Sequence, residues 1–280
     1  MTETERRNDD QFKSGTVEVG EEEKSQIYYE QSIGNGPNTI VLVHGNTLDR
    51  RIWDEQVQPF VQNGLTVVRY DMHGFGKSGQ ESRSGTNSTD LEAVLNDLGV
   101  EKAVLVGHSL GVRAVTHFAQ TFPERTDALI TVGAAAGGSF SQNLGTAANY
   151  FRRDNKTRAV EEWLRSSLFT VAMKDPDVAA KLRTIVSEYS GYHWLNGLGG
   201  LTGGSYKRKP SGMAQEYPIL HIIGQHEEEP FHRNQERLIG PGSSHAEGFA
   251  IFDTDHMPFM EKPDVFNEAV LQFLTRQGLI

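Results

Sequence analysis

The sequence predicts an α/β fold built on a mainly parallel sheet, and three observations carry that expectation. Short apolar runs without polar alternation recur along the chain, helical stripes fall between them, and turn-forming residues close both. Runs of β-branched and aliphatic residues without alternation suit strands covered on both faces, as parallel strands are. Strands that alternate with helices suit crossover connections.

Taken in order, the chain opens polar, and residues 1–15 are expected to be a flexible N-terminal segment. The run at 26–30 holds Ile27, Tyr28 and Tyr29, and the run at 39–43 is almost wholly apolar before His44-Gly45. Residues 65–70, 103–106, 128–132 and 218–223 have the same strand character. Thr89, with Glu92 three residues on, reads as a helix cap. Leu91, Val94, Leu95 and Leu98 then share a face, and Gly99 closes the end. Val112, Val115 and Ala119 form a second stripe stopped by Pro123, and Val265, Phe266, Ala269, Val270 and Phe273 form a third behind Pro263.

Residues 137–214 break the alternation. They hold helical stretches at 157–168 and 176–190 and a Gly-rich patch at 196–205, with no buried strand. This region reads as a helical cap inserted between the sixth and seventh core strands, over the sheet edge where open α/β folds bind ligands. The core is then 16–136 together with 215–280.

Composition narrows the chemistry. With 280 residues, 37% of them hydrophobic, the chain can bury a sizeable core and is no disordered acidic tail. The balance of 27 Lys+Arg against 37 Asp+Glu leaves a net charge of −10, which argues against nucleic acid or an anionic membrane as partner. Without cysteine there is no thiolate nucleophile, disulfide framework or Cys-ligated metal. No segment approaches the roughly 18 apolar residues of a membrane span. The first thirty residues carry no apolar run of signal-peptide length, so a soluble, cytoplasmic protein is expected.

Gly107-His108-Ser109-Leu110-Gly111 matches G-x-S-x-G. The string alone is common, but here it follows an apolar strand and opens a helical stripe, as a nucleophile elbow must. The bland reading is a strand-to-helix turn in which Ser109 merely caps the helix. A serine hydroxyl needs a base, and the base an orienting acid. His256 follows the apolar stretch 249–252 and precedes the last helix, at the sheet edge that also carries Ser109. The run at 218–223 leads into Gly224-Gln225-His226-Glu227-Glu228-Glu229-Pro230, giving the chain order Ser…Glu…His.

At these residues the chain resembles the α/β-hydrolase superfamily, in its cap-bearing serine hydrolase branch. The likeness runs from about Ile27 to the C-terminus, on His44-Gly45, the loop from Asp71 to Gly79, the serine elbow, and the stretch from His256 to Pro263. It implies Ser109 as nucleophile, His256 as base, and an oxyanion hole made by the backbone N–H groups of Asn46 and Leu110. Asn46 departs from the apolar or aromatic residues common there; its amide either adds a donor or binds its own loop, the second being favoured. The family pattern places the acid at Glu227, although Glu228 and Glu229 blur the register. Asp253 and Asp255 are set aside because neighbours in an extended segment point to opposite sides.

Other patterns fail. Gly74-Phe75-Gly76-Lys77-Ser78-Gly79 fits G-x-G-x-x-G but no helix opens on it, and a P-loop would need glycine where Asp71 stands. His226-Glu227-Glu228-Glu229-Pro230 lacks the second histidine of a zinc motif, so no metal and no cofactor are expected. His44 and His108 read as satisfied structural histidines, and Trp163, Phe169, Tyr189, Tyr192, His193 and Trp194 as helix packing within the cap. The expectation is a cofactor-free serine hydrolase acting on a small carboxylic ester or lactone through an acyl-enzyme. C–C bond hydrolysis, a haloperoxidase-like activity and a slow-turnover small-molecule receptor stand as alternatives on the same residues. Oligomeric state is not legible.

Overall fold

The computed structural model describes residues 11–21, 23–33, 36–80, 85–134, 142–196, 217–239 and 245–280. Its framework is one eight-stranded sheet in the order β1-β2-β4-β3-β5-β6-β7-β8. Strands β1 (Phe12–Val19) and β2 (Ser25–Ser32) pair antiparallel, and β2 meets β4 (Leu65–Tyr70) in the same sense. From there β3 (Asn38–Val43), β5 (Ala103–His108), β6 (Thr126–Val132), β7 (Ile219–Gly224) and β8 (Ala246–Ile251) run parallel with β4. Every residue of β4, β5 and β7 is buried, as their unalternated apolar runs require.

Helices cover both faces. In chain order they are α1 (Asp54–Gln62), α2 (Asn87–Asp97), α3 (Leu110–Thr121), α4 (Gln142–Arg152), α5 (Lys156–Leu164), α6 (Pro176–Glu188), α7 (Tyr192–Asn196), α8 (Glu229–Ile239), α9 (Pro258–Glu261) and α10 (Pro263–Arg276). Helix α3 buries Val112, Val115, Phe118 and Ala119. Trp53 stacks on Phe259 at 4.2 Å and meets Phe266, which joins the chain before α1 to α9 and α10. An ionic network bridges β2, β4 and the loops after β3 and β4: Arg50 to Glu30 at 2.6 Å, Arg50 to Asp71 at 2.9 Å and Arg69 to Glu30 at 2.8 Å. These groups are buried, so removal of one partner strands the other without solvent.

Helices α4 to α7 all fall between β6 and β7. Residues 1–10, 135–141 and 197–216, including most of the Gly-rich patch, lie outside the described residues.

Several elements differ from the sequence reading. Strand β1 begins at Phe12, inside the segment expected to fray. It is an edge strand paired on one side, so alternation of exposed Ser14, Thr16 and Glu18 with Gly15, Val17 and Val19 is enough to hold it. The cap of α2 is Thr86, not Thr89: the two threonines form a reciprocal box, each hydroxyl bonding the other's backbone N–H. Helix α4 is not among the expected helices, and β8 starts at Ala246, ahead of the apolar stretch at 249, where exposed residues leave no apolar signal. Among the described residues no helix is long and apolar enough to cross a membrane.

Candidate active site

The C-terminal ends of β3, β5, β6, β7 and β8 share one rim of the sheet, and the chemistry-bearing residues gather there. Ser109 joins β5 to α3 at φ 51, ψ −110, a backbone conformation that residues with a Cβ rarely adopt. Its side chain makes no capping bond to α3, so the hydroxyl is not consumed by the helix. The sharp turn needs bare neighbours: a Cβ at Gly107 would lie 2.6 Å from Gly111 O, and one at Gly111 would lie 2.5 Å from Val43 O. Strain of this kind is worth about 1–3 kcal/mol and persists only where the surroundings impose it. Part of that imposition is the bond from Ser109 N to Val132 O at 2.9 Å.

His256 and Glu227 meet on the other side of the Val132–Gly133 step. His256 Nδ1 lies 3.3 Å from Glu227 Oε2, and the two residues are only 3% and 7% exposed. The pair is in contact without hydrogen-bond alignment; neither Glu227 oxygen nor His256 Nδ1 has another partner. The neighbouring carboxylates are occupied elsewhere and exposed: Glu228 accepts from Ser167 Oγ, and Glu229 pairs with Arg233 at 3.1 Å. The turn carrying Glu227 is stitched to the histidine loop by His226 N to Thr254 O at 2.8 Å and Gln225 N to Ile251 O at 2.9 Å. Gly133, at φ 60, makes room for the pair. A Cβ there would lie 2.7 Å from His256 Cε1 and 3.2 Å from Glu227 Oε1.

Two buried histidines hold main chain rather than substrate. Met72 N–H donates to His44 Nε2 at 2.9 Å, which fixes the proton on Nδ1; Nδ1–H then donates to Gly45 O at 2.7 Å. In a trans peptide the C=O and N–H point opposite ways. Tying the Gly45 carbonyl to the imidazole therefore turns the Asn46 N–H away from it. His108 Nε2–H donates to the His256 carbonyl at 2.9 Å, joining the elbow to the histidine loop. Burial pushes both imidazoles below their usual pKa, His108 far below, so both are neutral at pH 7.

The loop holding Asn46 lies against the elbow, since a Cβ at Gly45 would be 3.2 Å from Ser109 Cβ. Leu110 N–H, at the first residue of α3, is one of the donors a helix start leaves without an intrahelical acceptor. Asn46 Oδ1 is buried with no partner. The next residue, Thr47, sits at φ 61 with its hydroxyl donating to Asn46 O at 2.6 Å.

Further support was not legible in the sequence. Glu261 accepts from Asp255 N at 3.0 Å and Met257 N at 3.1 Å, the two peptide N–H groups that flank His256. Burial and the adjacent Asp255 carboxyl push Glu261 up to about 9. Asp255 itself is buried and accepts from Val171 N. A hint existed in the spacing of Glu261 behind His256, but nothing in the string distinguishes it from an exposed helix carboxylate.

The glycine loop at 74–79 folds on itself through Gly74 N to Gly79 O at 2.9 Å and wraps Asp71, which accepts from Lys77 N. It touches the helices inserted between β6 and β7: Phe75 stacks on Tyr189 at 5.3 Å, and His193 meets the His73 carbonyl at 3.2 Å. Within this inserted region, Trp163 packs on Phe169 and Tyr189 on Trp194.

A model of the alpha/beta hydrolase fold family matches residues 38–263. The chain belongs to that family. Among its members, a 2-hydroxy-6-oxononadienedioate/2-hydroxy-6-oxononatrienedioate hydrolase of Paraburkholderia phymatum is 36% identical over 120 residues. That match covers 40% of this chain and 41% of the relative, so it spans well under half the relative's length. The crystal structure of bromoperoxidase from Bacillus anthracis superposes with TM-score 0.78 at 22% identity, over 94% of this chain and 100% of that one. A thermophilic esterase from Thermogutta terrifontis gives TM-score 0.77 at 22% identity, over 95% and 99%. These likenesses describe the α/β hydrolase fold, which hosts several chemistries.

Proposed function

We propose that the protein is a cofactor-free serine hydrolase that cleaves a small carboxylic ester or lactone through an acyl-enzyme. The observation that carries this reading is the buried His256–Glu227 contact at 3.3 Å, set beside a strained Ser109 whose hydroxyl caps no helix.

In this reading Glu227 faces the Nδ1 side of His256, and Nε2 serves as the base. Ser109 Oγ attacks the carbonyl carbon as its proton passes to Nε2, and the carbonyl π pair moves onto oxygen. The N–H groups of Asn46 and Leu110 receive that oxyanion; one such donor is worth about 10²–10³ in kcat. Collapse expels the alcohol, which takes the proton from His256. Water then attacks the acyl carbon, gives its proton to the same nitrogen, and the carboxylic acid leaves as Ser109 recovers its hydrogen. Glu227 holds the tautomer and stabilises the imidazolium.

A second reading is favoured by the Paraburkholderia relative. The compound in its name has no ester, so a hydrolase acting on it has a carbon–carbon bond to cleave. The test sets p-nitrophenyl butyrate against a chromogenic vinylogous diketone, with an active-site-directed phosphonate as label. Ester turnover and labelling that both vanish in Ser109→Ala support the first reading. Diketone turnover far above ester turnover favours the second, and labelling that persists in Ser109→Ala removes both.

A further inference from the structure

One short stretch of the cap reaches all three loops that the proposed reaction uses. Trp163 Nε1–H donates to Thr47 Oγ1 at 2.6 Å, one residue after Asn46. Ser167 Oγ donates to Glu228, one residue after Glu227. Val171 N–H donates to Asp255 Oδ2, one residue before His256. The donors stand four residues apart, at the last turn of α5, in the 3-10 turn Ser167–Phe169, and at Val171 just before the next 3-10 turn, Ala172–Lys174. Their acceptors sit beyond β3, β7 and β8, far apart in the chain.

One of the three contacts is buried at both ends, Trp163 being 4% exposed and Thr47 1%, and a second has a buried acceptor in Asp255 at 1%. A buried donor or acceptor that loses its partner cannot turn to water instead, so these bonds fix position rather than decorate a surface. Thr47 adds a second argument. It is β-branched at φ 61, and its hydroxyl bonds both Asn46 O and Trp163 Nε1, so the tryptophan anchors the least relaxed residue of the oxyanion loop. The Asp255 carboxylate accepts from Val171 N–H through Oδ2, which ties the histidine loop to the cap.

We propose that residues 163–171 form a strap that positions the oxyanion, acid and histidine loops relative to one another, with Trp163, Ser167 and Asp255 as positioning residues. The cap thus holds the reacting groups in register besides covering them. This inference rests on the catalytic reading of Ser109, His256 and Glu227 given above.

The test compares the full-length wild type with Trp163→Phe, which keeps the ring and removes the donor. It adds Ser167→Ala, Asp255→Ala, and Asp255→Asn, which keeps an oxygen to accept from Val171 N–H. Hydrogen exchange reads the loops directly. Faster exchange is expected around 45–49 in Trp163→Phe, around 225–229 in Ser167→Ala and around 253–258 in Asp255→Ala, with Asp255→Asn near wild type. On p-nitrophenyl butyrate each of the first three should lower kcat about five- to tenfold, with KM changed less than about twofold. Unchanged exchange in all three loops overturns the strap, and so does a change confined to KM. Should Ser109→Ala leave turnover intact, the catalytic reading fails instead, and the exchange measurements still decide whether the strap holds the loops.

Discussion

Gly133→Ala adds a single methyl group at the point where His256 and Glu227 meet. Its Cβ would stand 2.7 Å from His256 Cε1 and 2.8 Å from Nδ1, where ordinary carbon contact needs about 3.5–4.0 Å. The imidazole must therefore retreat by about 1 Å, and a misplacement of that size is worth about 10²-fold in rate. The backbone contributes separately, because φ 60 costs an L-residue about 1–2 kcal/mol. Gly99 supplies the control: it has φ +65 with nothing within 4 Å of its would-be Cβ. Gly99→Ala carries the backbone penalty alone, and a chain of this size loses about 2–4 °C in Tm per kcal/mol. The expected outcome is a similar or somewhat larger fall in Tm for Gly133→Ala, with kcat on p-nitrophenyl butyrate down about 100-fold, while Gly99→Ala keeps wild-type kcat. Wild-type kcat in Gly133→Ala, or an equal loss in Gly99→Ala, refutes the reasoning.

Three more outcomes follow from other contacts. Glu227→Gln should lower kcat about 10³–10⁴-fold by releasing the imidazole tautomer, whereas Glu229→Gln, at an exposed pair with Arg233, should leave it unchanged; steady-state kinetics separates them. His44→Phe leaves Met72 N–H and Gly45 O without partners, which predicts a loss of about 2–5 kcal/mol in urea unfolding together with reduced kcat. His221 is buried against Thr131 Oγ1, and burial lowers it from 6.5 to about 4. The unfolded chain therefore binds the extra proton first. The resulting stability is complete above pH ~6.5 and is lost as pH falls toward 4, by about 3 kcal/mol in all. Urea unfolding at pH 7 and pH 4.5 should show His221→Leu with a flatter acid limb than wild type.

The strands and the elbow were legible because their signals are local. Residues 39–43 or 103–106 can satisfy their apolar side chains only between two helical layers, and the turn at Ser109 announces itself by the small residues at 107 and 111. The contacts that hold the site were not legible, because they join side chains to main chain across long separations. His108 bonds the carbonyl of His256 from 148 residues away, and Trp163 bonds Thr47 from 116. A histidine that positions a peptide has the same letter as one that moves a proton. The N-terminus of α2 misled for a simpler reason: Thr86 and Thr89 both have capping chemistry, and Glu92 completes a plausible box one turn too late. Strand β1 escaped because an edge strand paired on one side needs little hydrophobicity.

The clamps made by His44 and His108 carry no net charge, since each is a neutral imidazole donating to a carbonyl. Dissolved ions weaken surface pairs such as Lys24–Glu18 and Arg276–Glu247, both roughly half exposed, but they do not screen uncharged bonds sealed from solvent. The rim of the sheet is thus built to keep its shape in brine that would loosen the protein's outer electrostatics.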